Sequence, residues 1–138
     1  VLEHTVVVAA VVIHDLEISM KTYPISNENG VQVAFEIENV YINCKSIAKL
    51  LHELSDIKSI KMQKLFTNTE YRIEFVYKGI DCVVWEPFGD NSRYWIGPRS
   101  PEKDKVDIQK IQTLFDSYRP NSLRKFLGDL LSFNFVQR

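Results

Sequence analysis

The run YRIEFVYKGIDCVVW, from Tyr71 to Trp85, restricts the possible folds more than any other part of this chain. On either side of Lys78-Gly79 the residues alternate between apolar and polar, which is the period of a strand with one buried face. A two-residue turn at Lys78-Gly79 sets Tyr77 against Ile80, Phe75 against Cys82 and Ile73 against Val84. The hairpin then has one wholly apolar face that something must cover. Its other face pairs Val76 with Asp81, Glu74 with Val83 and Arg72 with Trp85, where a guanidinium can lie on an indole. That mixed face is either covered in part or used for contact.

The flanking segments extend this sheet. In VQVAFEIENVYI, Val31 to Ile42, the residues Val31, Val33, Phe35 and Ile37 fall on one side and Gln32, Ala34, Glu36 and Glu38 on the other, which predicts a half-buried strand. Asn43 follows as a helix N-cap, with Ile47, Leu50, Leu51, Leu54 and Ile57 at helical spacing behind it. Ile60 to Phe66 and Arg93 to Gly97 read as further strands. The polar, proline-containing PRSPEKDK separates them from a helix carrying Ile108, Ile111, Leu114, Phe115 and Tyr118, capped by Asp107 or Asp104. Arg119-Pro120 ends that helix, and Asn121 or Ser122 opens a second one bearing Leu123, Phe126, Leu127, Leu130 and Leu131. The expectation is a single α+β domain over residues 1–138: an antiparallel β-meander, one helix after the first strand, and two C-terminal helices packed on one face. The apolar run Val6 to Ile13 is too short to span a bilayer, which takes roughly 20 residues. It reads as a strand, or else residues 1–19 are an extension ahead of a native start at Met20.

Composition narrows the function classes. With 45% hydrophobic and 25% charged residues the chain is neither a disordered nor a membrane sequence. Seventeen basic and eighteen acidic residues give a net charge of −1, so no overall field draws nucleic acid or anionic lipid. The basic residues Lys103, Lys105, Arg119, Arg124 and Lys125 are interrupted by Glu102, Asp104, Asp107 and Asp129, the pattern of a solvated surface. Cys44 and Cys82 have no CxxC spacing and are too few for a disulfide framework, which fits a reducing cytoplasm. Cys82 reads as core. Cys44 lies near a helix start, where a thiol pKa can fall, but no companion His or acid stands at a telling spacing, so it reads as inert. His4, His14 and His52 are scattered, and no nucleotide-binding, nucleophile-elbow or zinc-protease motif occurs. No catalytic residue, metal site or cofactor is assigned.

The candidate functional stretch is WEPFGDNSRYWIGP, Trp85 to Pro98, which holds both tryptophans of the chain. One reading is loop architecture: Asp90 and Asn91 form Asx turns, Gly89 takes positive φ, Pro87 sets a bend and Arg93 ties to Asp90 or Glu86. The other is recognition. Adjacent strand residues point to opposite faces, so Tyr94 and Trp95 cannot both be inside. Exposed Trp, Tyr and Arg are the residues of interface hot spots. The contact set expected on this reading is Arg72, Trp85, Glu86, Phe88, Asp90, Asn91, Arg93 and Tyr94.

In size, layout and the style of its EPFGDNSRYWIGP loop, the chain from Met20 to Arg138 resembles the small immunity proteins of bacterial toxin–immunity systems. The resemblance implies a cytoplasmic, non-catalytic protein, monomeric or weakly dimeric, that binds and neutralises a cognate toxin domain. Glu36, Glu38, Glu86 and Asp90 would then offer acidic contacts. Two alternatives come from other classes. One is a small metal-dependent hydrolase or nuclease using Glu86 and Asp90, and the other is a structural subunit docking through Arg72, Val83 and Trp85.

Overall fold

A computed structural model describes residues 20–63, 71–87, 92–120 and 130. Among them is an α+β arrangement of six antiparallel strands and two helices. The strands are β1 (Thr22–Ser26), β2 (Gln32–Glu38), β3 (Ile57–Met62), β4 (Tyr71–Tyr77), β5 (Ile80–Trp85) and β6 (Arg93–Pro98). The helices are α1 (Cys44–Leu51), between β2 and β3, and α2 (Gln109–Asp116), after β6. The sheet order is β1-β2-β6-β5-β4-β3, with every neighbouring pair antiparallel.

The central hairpin follows its alternation. Tyr77 faces Ile80, Phe75 faces Cys82 and Ile73 faces Val84, and both turn residues take the left-handed region, Lys78 at φ 50° and Gly79 at φ 79°. Left-handed turns of this kind match the right-handed twist of the strands they join. Asn43 caps α1 as expected, its side-chain oxygen accepting from the Ser46 amide at 2.8 Å. The N-cap of α2 is Ile108 rather than Asp107 or Asp104 and makes no side-chain capping bond; Asp107, one residue earlier, accepts from the Gln109 amide at 3.1 Å.

Several expectations need correction. A strand not read from the sequence, β1, precedes the first expected one, so α1 follows the second strand. The sheet is only partly a meander: β3 to β6 run in order, but β6 then pairs with β2, setting Arg93 opposite Glu38 and Ile96 opposite Phe35. Helix α1 ends at Leu51, and Ile57 belongs to β3 rather than to the helical stripe. At Arg72 the β4–β5 ladder shifts, so that Tyr71 rather than Arg72 stands opposite Trp85. An inserted residue of this kind bends and twists a strand. One C-terminal helix, α2, is described. The strand read at Val6 to Ile13, residues 64–66 of the expected third strand and, apart from Leu130, the helix read at 122–131 lie outside the described residues.

Both helices lie on one face of the sheet. Ile47, Leu50 and Leu51 of α1 and Ile111 and Phe115 of α2 pack on Phe35, Ile37, Ile73, Phe75, Val84 and Ile96. The Phe35 and Phe115 rings meet with centroids 5.5 Å apart. Each large aliphatic side chain buried this way contributes roughly 1.5–3 kcal/mol, so this layer is the main source of stability. Gln112 of α2 is tied to the sheet by hydrogen bonds to Thr22 at 2.8 Å and from Gln32 at 2.6 Å. No helix among the described residues is long and apolar enough to cross a membrane.

Candidate functional site

The opposite face of the sheet carries the side chains that alternate with the core. These positions include Val83, Trp85, Arg93, Trp95 and, with no side chain, Gly97 on β5 and β6, and Tyr23, Ala34 and Glu36 on β1 and β2. Trp85 and Trp95 are cross-strand partners, and their rings meet edge to face, 6.0 Å between centroids and 75° between planes. That is a favoured aromatic geometry. Both rings are half-buried. Trp95 lies over Gly97: a Cβ built on Gly97 would stand 3.0 Å from Trp95 Cη2 and 2.7 Å from Ala34 Cβ. The glycine is therefore the seat of the indole, and Ala34 and Val83 beside it are buried.

Arg93 flanks this pair. Its guanidinium stacks on the Tyr23 ring at 3.9 Å and its Nη1 lies 3.4 Å from Glu36 Oε1. Glu36 is the buried charged residue of the described core, 7% exposed. Tyr23 in turn donates to Glu38 Oε1 at 2.9 Å. Burial, and then the Glu38 carboxylate, hold the Tyr23 phenol above its ordinary pKa, so it remains a donor at neutral pH. Partly exposed pairs of this kind contribute at most about 1 kcal/mol each. Their effect here is positional: they hold a cation–π stack beside two indoles.

The remaining predicted contact residues separate into a second group at the end of the sheet where β5 turns into β6. Arg72, displaced by the bulge, has its Nε 3.1 Å from Glu86 Oε1. Tyr94 points under α1, is 7% exposed and accepts from Cys44 Sγ at 3.5 Å. Burial raises the pKa of both groups, and the nearby Glu86 charge raises them further while Arg72 opposes it. The helix start therefore does not activate Cys44. Of the predicted set, Trp85 and Arg93 share the face opposite the helices, Arg72 and Glu86 pair with each other, and Tyr94 is core. Phe88, Asp90 and Asn91 lie outside the described residues. Trp95, Tyr23 and Glu36 complete the group on that face. Alternation along β6 carried the signal for Trp95, but not the direction in which it points.

Among the described residues no cluster of three His, Cys, Asp or Glu side chains is placed to hold a metal ion. What this face offers, among the described residues, is a pair of half-buried indoles edged by hydrogen-bonding groups. Comparison with protein-family models, with curated proteins and with solved structures finds no match to this chain.

Proposed function

We propose that the chain is a protein-binding module that contacts its partner through the sheet face opposite the helices, and that it neutralises a cognate toxin domain by occupying it. One observation carries the reading: two half-buried indoles in edge contact, one seated on a glycine, beside an arginine stacked on tyrosine. Tryptophan, tyrosine and arginine held in fixed orientations are the groups that dominate binding energy when a partner excludes water around them. Because their rotamers are already constrained, association loses less side-chain entropy. On this reading the protein is a cytoplasmic inhibitor without turnover, monomeric or weakly dimeric in the absence of its partner.

The test uses the whole chain as bait, identifies the bound protein, and measures its affinity by calorimetry for wild type, Trp85→Ala and Trp95→Ala. Each substitution is expected to weaken binding by roughly thirtyfold or more, the loss typical of a hot spot. Far-ultraviolet circular dichroism confirms that the variants fold. The partner is expected to raise the melting temperature by mass action and to lose its toxic activity when bound. Wild-type affinity in both variants would show that the contact lies elsewhere.

A further inference from the structure

At the other end of the sheet from the Trp85–Trp95 pair, the β1–β2 turn and the loop between β6 and α2 enclose a groove of about 480 Å³. That volume falls within the range of pre-formed ligand sites, roughly 300–1,000 Å³. Its apolar lining comes from Val31, Val33, Pro101 and Val106. Val31 is 55% exposed, the most exposed large hydrophobic residue among those described. The charged lining consists of three carboxylates, Glu28, Glu102 and Asp104, against one ammonium, Lys105. The ion pairs among the described residues engage other carboxylates: Glu36 with Arg93, Asp56 with Lys110, Glu74 with Arg99 and Glu86 with Arg72. The groove thus combines an apolar lining with carboxylates that these pairs do not use.

Both walls are held in place before any ligand arrives. Asn27 Oδ1 accepts from the amides of Asn29 at 2.9 Å and Val31 at 3.0 Å, with Gly30 at φ 76° completing the turn. Across the groove, Ser100 O accepts from the amides of Lys103 at 3.0 Å and Asp104 at 2.9 Å. We infer that this groove is a second contact site, which takes a lysine- or arginine-bearing peptide segment of a protein partner. The aliphatic stems of such side chains suit the valine lining, and their charged ends suit the acidic rim. The inference is independent of the reading proposed for the Trp85–Trp95 face, because the two sites use different residues.

The test is a titration of the isotopically labelled full chain, followed by amide chemical shifts, with an acetylated and amidated Leu-Lys-Leu-Lys peptide. A Leu-Glu-Leu-Glu peptide and spermidine serve as comparisons. The lysine peptide is expected to shift the amides of Val31, Val33, Glu102 and Val106, and the glutamate peptide is not. Glu28→Gln combined with Glu102→Gln, both exposed positions, is expected to weaken the lysine peptide about fivefold. Equal shifts with both peptides, no shift at millimolar peptide, or spermidine reproducing the whole effect at equal concentration would each overturn the inference.

Discussion

Replacing Gly97 by alanine tests whether the seat of Trp95 is as tight as the geometry makes it. Gly97 is a strand residue, and its backbone is not in the left-handed region. On backbone grounds alone, alanine there would stabilise the protein by about 0.4–1 kcal/mol, by restricting the unfolded chain. Against this, the new methyl would stand 2.7 Å from Ala34 Cβ and 3.0 Å from the Trp95 ring. Ala34 is fully buried in the neighbouring strand, so it has no rotamer by which to yield, and β2 and β6 must shift or the indole must lift. Over-packing of this kind costs typically about 1–3 kcal/mol. The net expectation is a loss of roughly 1–2 kcal/mol, or about 3–8 °C in melting temperature for a domain of this size. Urea denaturation should show a lower midpoint with an unchanged slope. Adding Ala34→Gly should recover part of the loss, giving a coupling energy of about 1 kcal/mol in a double-mutant cycle. A Gly97→Ala protein as stable as wild type, or two substitutions that simply add, would refute the close-seat argument.

Two further outcomes follow from the core. Tyr77 is fully buried and its hydroxyl has no hydrogen-bond partner among the described residues, so Tyr77→Phe should raise stability by about 1 kcal/mol in urea melts, reflecting relief of an unpaired buried polar group. Burial pushes the Cys82 thiol up to about 12. The unfolded thiol ionises above about 8.5 while the folded one stays protonated, so the unfolded state binds fewer protons and stability falls as pH rises from about 9 towards 12. The expected slope from this group is at most about 1.4 kcal/mol per pH unit. Urea melts across that range should show it, and Cys82→Ala should flatten it. Native Cys82 should also resist a thiol reagent at pH 8.

The hairpin from Tyr71 to Tyr77 and Ile80 to Trp85 was legible because its pairing is local: alternation sets the faces and the Lys78-Gly79 turn sets the register. What depends on distant partners was not. Alternation states that Tyr94 and Trp95 oppose each other. Which one goes inward depends on Cys44, Ile96 and Gly97 around them, and the glycine that makes room for an outward indole has no periodic signature. Strand β1 was hidden by Pro24, which is compatible with an edge position but removes a donor and reads as a break. Ile57 continued the helical spacing of α1 because a buried position looks the same in either element. The Arg72 bulge also escaped, since an inserted residue leaves the alternation around it intact over only a few positions. The group on the face opposite the helices draws on Tyr23, Glu36, Trp85, Arg93 and Trp95, which lie on four strands, and only the last three are close in sequence.

The placement of β6 between β2 and β5 bears on how the protein is made. During synthesis the β1–β2 hairpin leaves the ribosome ahead of the other described strands, and the strand it needs beside it arrives only after β3, β4 and β5 have been made. Until then the β1–β2 hairpin and the β3–β5 ribbon are joined only through α1 and the chain on either side of it, and the edges of β2 and β5 that β6 will occupy present unpaired amides and carbonyls. Pairing strands so far apart in sequence slows folding, and the last strand inserts as a keystone: until it is in place, the two edges remain templates on which another chain can pair.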